Sequence, residues 1–177
     1  MKKKIVILGS TGSIGRSTLE IIRKDKRNFD VVLLTANNNF TKLIQQAKEF
    51  KVKNVLIKNE KFYLKVKNSL KKTKTRVYSG DASINKIISR KIDLTMSAIV
   101  GLAGLQPTVD AIKVSKTVAL ANKETIICGW HLLSKLKKKY KTEILPVDSE
   151  HFSIMELTKS VKDDEIDEII ITASGGP

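Results

Sequence analysis

One cysteine, two histidines, three prolines and one tryptophan stand among 177 residues, and these scarcities close several classes of function. Cys128 by itself makes no internal disulfide, and with only His131 and His151 for company it cannot complete a Cys/His zinc cage. Any metal site must therefore be built from carboxylate oxygens. No run approaches the roughly 20 consecutive apolar residues that span a bilayer. Met1-Lys2-Lys3-Lys4 leads straight into a short apolar strand instead of a signal-peptide core, so the expected place is the cytoplasm, without a membrane partner.

Acid is what the first half lacks. Residues 1–80 carry 20 basic and 5 acidic side chains and residues 81–177 carry 13 of each, so the whole net charge of +15 belongs to the first 80. Such a field attracts polyanions. Aromatics make up only 5% of the chain, however, and the lysines are scattered through helical stretches without interleaved rings on which bases stack. No nucleic-acid partner is expected; the excess reads as a solvated lysine face beside a phosphate-bearing ligand, or as compositional drift.

What is present is a 41% hydrophobic chain, enough for one sizeable core, in which short apolar runs alternate with amphipathic stretches. That alternation predicts an α/β fold of the Rossmann-like, doubly wound type, with a mostly parallel sheet covered on both faces. Strands are expected at Lys4–Leu8, Val31–Thr35, Asn54–Lys58, Arg76–Ser79, Leu94–Ala98, Thr117–Leu120, Ile144–Val147 and Glu168–Thr172. Helices are expected at Ser13–Arg23, Thr41–Phe50, Tyr63–Leu70, Ser83–Ser89, Pro107–Val114, Lys123–Tyr140 and His151–Thr158.

Four strand ends carry chemistry. The first delivers Gly9-Ser10-Thr11-Gly12-Ser13-Ile14-Gly15 into a helix, and glycines at that spacing let backbone N–H groups approach a pyrophosphate at the positive end of the helix. The second ends in Thr35-Ala36-Asn37-Asn38-Asn39, with no acid where an NAD site holds the ribose 2′-OH. Absence of that charge favours a 2′-phosphate, hence NADP, with Lys42 nearby; the same asparagines also suit a helix-capping turn. Further on, Val147 delivers Asp148-Ser149-Glu150-His151. Carboxylates at i and i+2 can share one hard cation, or Asp148 or Ser149 can cap the next helix with Glu150 in its first turn. Asn122-Lys123-Glu124 opens the long helix and offers a phosphate-pairing lysine, or an ordinary capped start. Cys128, Trp130 and His131 read as packing or surface residues.

Together with Ala98-Ile99-Val100-Gly101 and its adjoining Gly104-Leu105 as one motif, and with Leu120–Glu124, Leu145–His151 and Ser174-Gly175-Gly176-Pro177, the glycine turn makes five motifs in order over nearly the whole chain. In these the sequence closely resembles the 1-deoxy-D-xylulose 5-phosphate reductoisomerases. The resemblance implies an enzyme that rearranges 1-deoxy-D-xylulose 5-phosphate on Mg²⁺ or Mn²⁺ and reduces the resulting aldehyde with NADPH to 2-C-methyl-D-erythritol 4-phosphate, an isoprenoid precursor. It implies Thr11, Gly12, Ser13 and Ile14 at the NADPH phosphates, Asn37, Asn38 and Asn39 at its adenosine end, and Asn122 and Glu124 facing the cofactor. It gives Lys123 to the substrate, Asp148 and Glu150 to the metal, and Ser149, Glu150 and Ser174 to the substrate; Lys123, Asp148 and Glu150 are then the catalytic set. Residues 1–147 would be the NADPH-binding domain and 148–177 the beginning of a catalytic α+β domain. The resemblance also implies a homodimer when full length, and a chain cut at Pro177 is expected to show little turnover. Family members often carry Gly-Lys-Asn or Gly-Asn-Asn at positions 37–39, a departure that bears on 2′-phosphate affinity. A different NADP dehydrogenase of small molecules, such as a semialdehyde or homoserine enzyme, is the competing reading; it needs no cation.

Overall fold

Alternating side chains on each strand decide how the sheet is covered. Ile5 and Ile7 point to one face of the first strand and Val6 and Leu8 to the other, and all four are buried. A strand apolar on both sides must lie inside a sheet with helices above and below. A computed structural model describes residues 1–88 and 91–170. It contains strands β1 (Lys3–Leu8), β2 (Phe29–Ala36), β3 (Asn54–Ile57), β4 (Arg76–Ser79), β5 (Ile92–Ser97), β6 (Ser115–Leu120) and β7 (Glu143–Pro146). The helices are α1 (Ser13–Lys24), α2 (Phe40–Glu49), α3 (Tyr63–Leu70), α4 (Ile84–Ile87), α5 (Leu105–Val114), α6 (Lys123–Tyr140) and α7 (Ser149–Thr158). Short 3₁₀ turns lie at Glu60–Phe62, Leu102–Gly104 and Asp163–Glu165.

The sheet runs β4-β3-β2-β1-β5-β6-β7, and every neighbouring pair is parallel. The winding reverses between β1 and β5, which opens a crevice outside their carboxyl ends, the usual ligand position in such sheets. One core layer joins Ile5, Ile7 and Leu34 to Leu19 and Ile22 of α1, Leu43 and Ala47 of α2, and Val66 and Leu70 of α3. The opposite layer joins Val6, Leu8, Val118 and Leu120 to Ile84 of α4, Val109 and Ile112 of α5, and Leu133 of α6. Between Ile5↔Val31 and Val6↔Leu33 the pairing slips by one residue, a bulge at Val32 that puts Val31 and Leu34 in the same layer.

Seven of the eight expected strands are present, each within two residues of its expected limits. The eighth is not: residues 168–170 form no strand, and 171–172 lie outside the described residues. The short α4 stops at Ile87, whereas Ser83–Ser89 is the expected span, and Ser89 also lies outside them. α5 starts two residues before Pro107, whose missing N–H falls in the first turn, where no intrahelical acceptor exists. α7 starts at Ser149 because Asp148 caps it. None of its residues is buried.

Candidate active site

The glycine turn after β1 is shaped by packing on two sides. Gly9 has φ +78°, and a Cβ there would lie 2.8 Å from the carbonyl oxygen of Ala98, so the turns after β1 and β5 touch at the crevice. A Cβ on Gly15 would lie 2.3 Å from Gly9 O, which keeps α1 tight against the turn. Gly12 caps α1 with φ −74° and no side chain, and Gly12 N donates to Gly9 O at 3.1 Å. The first-turn N–H groups of α1 therefore face the rim without a side-chain cap, in the arrangement that binds phosphate. Thr11 is half-buried, while Gly12, Ser13 and Ile14 are exposed beside these groups. A cradle that excludes side chains and presents N–H groups fits a pyrophosphate.

At the end of β2, Asn37, Asn38 and Asn39 are exposed. Asn39 caps α2, its side chain accepting from Lys42 N at 3.1 Å. Asn38 Oδ1 accepts from Asn59 Nδ2 at 2.8 Å, so the neighbouring β3 turn holds it in place. Asn37 keeps an uncommitted, solvent-facing amide among the described residues.

The second wall comes from β5 and β6. Gly101 has φ +73° and begins the Leu102–Gly104 turn. Asn122 reaches across to it: its side-chain amide donates to Gly101 O at 2.8 Å and to Ile99 O, while its Oδ1 caps α6 by accepting from Thr125 N at 2.9 Å. Asn122 is 2% exposed, with its amide and its side-chain oxygen both hydrogen-bonded within the protein. Lys123 is exposed and Glu124 half-buried in the first turn of α6. Cys128, Trp130 and His131 are exposed farther along it.

Asp148 and Glu150 follow β7. Asp148 Oδ1 accepts from His151 N at 2.9 Å and lies 2.6 Å from His151 Nδ1. Partial burial raises its carboxyl pKa, but the hydrogen bonds from the His151 backbone and ring, with the ring's charge, outweigh this and hold it below the ordinary range. Glu150 is exposed, with Oε2 accepting from Ser149 Oγ at 3.1 Å. Two hard oxygen donors suit Mg²⁺ or Mn²⁺ in kind and supply part of a six-oxygen shell. Among the described residues no group of three or more acid, histidine or cysteine side chains gathers to complete it. Ser174 lies outside the described residues.

Strand register places these parts on one rim. Leu8 pairs with Ser97, Ser97 with Leu120, and Leu120 with Pro146. Three parallel strand spacings separate the glycine turn from Asp148, about 14 Å. Thus the turns bearing Gly12, Asn122, Lys123 and Asp148 open at the same edge, these residues lying two to four positions beyond this row.

Sequence reading missed the buried support beneath the glycine turn. Gly9 N donates to Thr35 Oγ1 at 2.9 Å and Ser10 N to Thr35 O at 2.9 Å. Ser10 Oγ donates to Gln46 Oε1 at 2.8 Å, and Gln46 Nε2 returns to Ser10 O at 2.9 Å. A glutamine on the otherwise apolar Leu43/Ala47 face of α2 was the available signal.

Comparison with known proteins agrees with this architecture. Residues 5–129 match the family model for 1-deoxy-D-xylulose 5-phosphate reductoisomerase, and residues 144–177 match the model for the C-terminal domain of that family. The chain is 53% identical to the 1-deoxy-D-xylulose 5-phosphate reductoisomerase of Pelagibacter ubique over 99% of its own length and 46% of the relative's. It therefore spans about half the length of the curated relatives it matches. It is also similar to the solved reductoisomerase from Zymomonas mobilis in complex with NADPH, with TM-score 0.81 and 37% identity over 85% of this chain and 40% of that one. A reductoisomerase solved with NADPH, fosmidomycin and magnesium superposes with TM-score 0.78 at 36% identity, covering 84% of this chain and 37% of that one. Among the described residues no helix is long and apolar enough to cross a membrane.

Proposed function

Because the chain belongs to the 1-deoxy-D-xylulose 5-phosphate reductoisomerase family, we propose that it forms the NADPH-binding part, and the first portion of the cation-binding part, of an enzyme converting 1-deoxy-D-xylulose 5-phosphate to 2-C-methyl-D-erythritol 4-phosphate. The observation that carries this reading is the shared rim: the phosphate cradle after β1 and the carboxylate pair after β7 open at the same sheet edge. Bound there, Mg²⁺ or Mn²⁺ would polarise the substrate ketone and steady enolate-like charge, and NADPH would supply hydride to the aldehyde.

The chain's own residues do the holding. Backbone at Thr11, Gly12, Ser13 and Ile14 receives the pyrophosphate, and Asn37, Asn38 and Asn39 receive the adenosine end. Lys123 offers its ammonium to the substrate phosphate or hydroxyls, and Glu124 lies on the cofactor side of the same helix turn. Asn122 acts through backbone, by fixing the Ile99–Gly101 turn that walls the nicotinamide end. Asp148 and Glu150 present carboxylate oxygens to the cation, with His151 holding Asp148 ionised and aimed. Ser149, Glu150 and Ser174 take the substrate. Residues 1–147 constitute the dinucleotide domain and 148–177 begin the catalytic one, in a cytoplasmic homodimer that binds no nucleic acid.

The test is NADPH oxidation by the full-length protein. Absorbance at the NADPH band should fall only when the deoxyxylulose phosphate and a divalent cation are both supplied, and a chelator should stop it. Asp148→Asn should remove turnover at least about a hundredfold while the NADPH dissociation constant stays within about twofold. Turnover that survives the chelator, or full activity in the variant, refutes the cation role.

A further inference from the structure

Beneath the glycine turn lies a polar contact that the chemistry above does not use. Ser10 is fully buried and Gln46 is 6% exposed. Burying an amide is unfavourable unless both its ends are satisfied, and an apolar side chain of similar size would fill the space without that risk. Here both ends are satisfied by a single residue of the phosphate turn: Ser10 Oγ donates to Gln46 Oε1 at 2.8 Å, and Gln46 Nε2 donates to Ser10 O at 2.9 Å. Gln46 belongs to α2, whose N-terminus is the Asn39 cap at the close of the asparagine turn. Seven residues of helix separate the two, about 10 Å of stiff rod.

From this we infer that Gln46 is a positioning residue for the dinucleotide, fixing the pyrophosphate turn at a set distance from the turn that receives the 2′-phosphate end. The role rests on the NADPH reading above. A ligand that bridges two anion subsites gains affinity from their fixed separation, whereas a ligand filling one subsite gains nothing from it. Gln46 therefore acts on spanning ligands and is silent toward single-site ones. Thr35 assists from the other side, holding Gly9 N and Ser10 N to the end of β2.

The distinguishing experiment titrates the full chain with NADPH, by fluorescence, and with 2′-AMP as a competitor that fills only the 2′-phosphate end. Gln46→Met removes the amide and keeps the volume; Ser10→Ala removes the hydroxyl from the other partner and serves if the first variant does not fold. In either variant NADPH should weaken about tenfold while 2′-AMP changes by less than about twofold, a split that general destabilisation does not produce. The double variant should be no worse than the poorer single one. Equal weakening of both ligands, or unchanged NADPH affinity in the folded variants, overturns the positioning role. If the unaltered chain binds no NADPH at all, the cofactor reading itself falls, and the role falls with it.

Discussion

Replacing Gly12 and Gly15 in turn by alanine should separate the glycine that admits a ligand from the glycine that admits a helix. At Gly12 the backbone has φ −74° and ψ 177°, open to any residue, and an added Cβ would meet only Gly9 O at an ordinary 3.4 Å. Loss of unfolded-state freedom stabilises Gly12→Ala by about 0.4–1 kcal/mol, and the poorer N-cap costs a similar amount, so the free protein should melt within about 2 °C of the original. The new methyl nevertheless stands at the mouth of the cradle, where backbone must approach the pyrophosphate, and NADPH affinity should fall about tenfold or more. At Gly15 the added Cβ would meet Gly9 O at 2.3 Å and Ser10 Cα at 2.6 Å. These are backbone atoms, so α1 and the turn must part by about 1 Å, an overpacking cost of about 1–3 kcal/mol. Better helix propensity returns about 0.5–1 kcal/mol. The net loss of about 1–2 kcal/mol should lower the melting temperature by about 3–6 °C, and NADPH affinity should fall as well because the displaced turn is the cradle. Calorimetric melting with a parallel NADPH titration decides the matter. A Gly12→Ala protein that melts as early as Gly15→Ala, or that binds NADPH undiminished, refutes the division of roles.

Two further outcomes follow from the walls of the crevice and the far edge of the sheet. Asn122→Ala strips the cap from α6 and leaves the half-buried carbonyls of Ile99 and Gly101 without their donor, so denaturant unfolding should show a loss of about 2–3 kcal/mol; a loss under about 1 kcal/mol would mean the turn is held by something else. Asp93 is held below the ordinary carboxylate range first by the Lys116 ammonium and then by the Lys4 N–H, against a smaller opposing effect of burial. A lowered folded-state pKa stabilises the protein above the unfolded value, near about pH 4, and the gain disappears as pH falls through the folded value. Asp93→Asn should therefore cost about 0.5–1 kcal/mol at neutral pH and flatten the acid limb of the melting curve below about pH 4; an unchanged acid limb would show that the pair contributes nothing.

Much of this molecule could be read along the chain because the controlling interactions are local. Two-faced apolar runs such as Ile5–Leu8 betray interior strands, and apolar spacing of three and four along α1 and α2 betrays helices on them. The glycines of 9–15 mark a turn without side chains, and the caps at Asn39, Asn122 and Asp148 lie one residue from the helices they start. Where reading along the chain failed, the deciding residues were far apart in sequence. Whether Glu168–Ile170 would find a strand partner depended on neighbours the pattern could not name, and in the described structure it finds none.

The alternation of strands and helices, the side-chain-free phosphate turn and the two carboxylates after a strand are each written in residues within one or two turns of one another, so they are legible along the chain. Folding in three dimensions adds that Leu8, Ser97, Leu120 and Pro146 stand level in one row, that Asn122 holds a turn 21 residues away, and that Gln46 grips Ser10 across 36. These contacts depend on strand order and register, which are fixed by how both faces of the whole sheet bury their apolar side chains together.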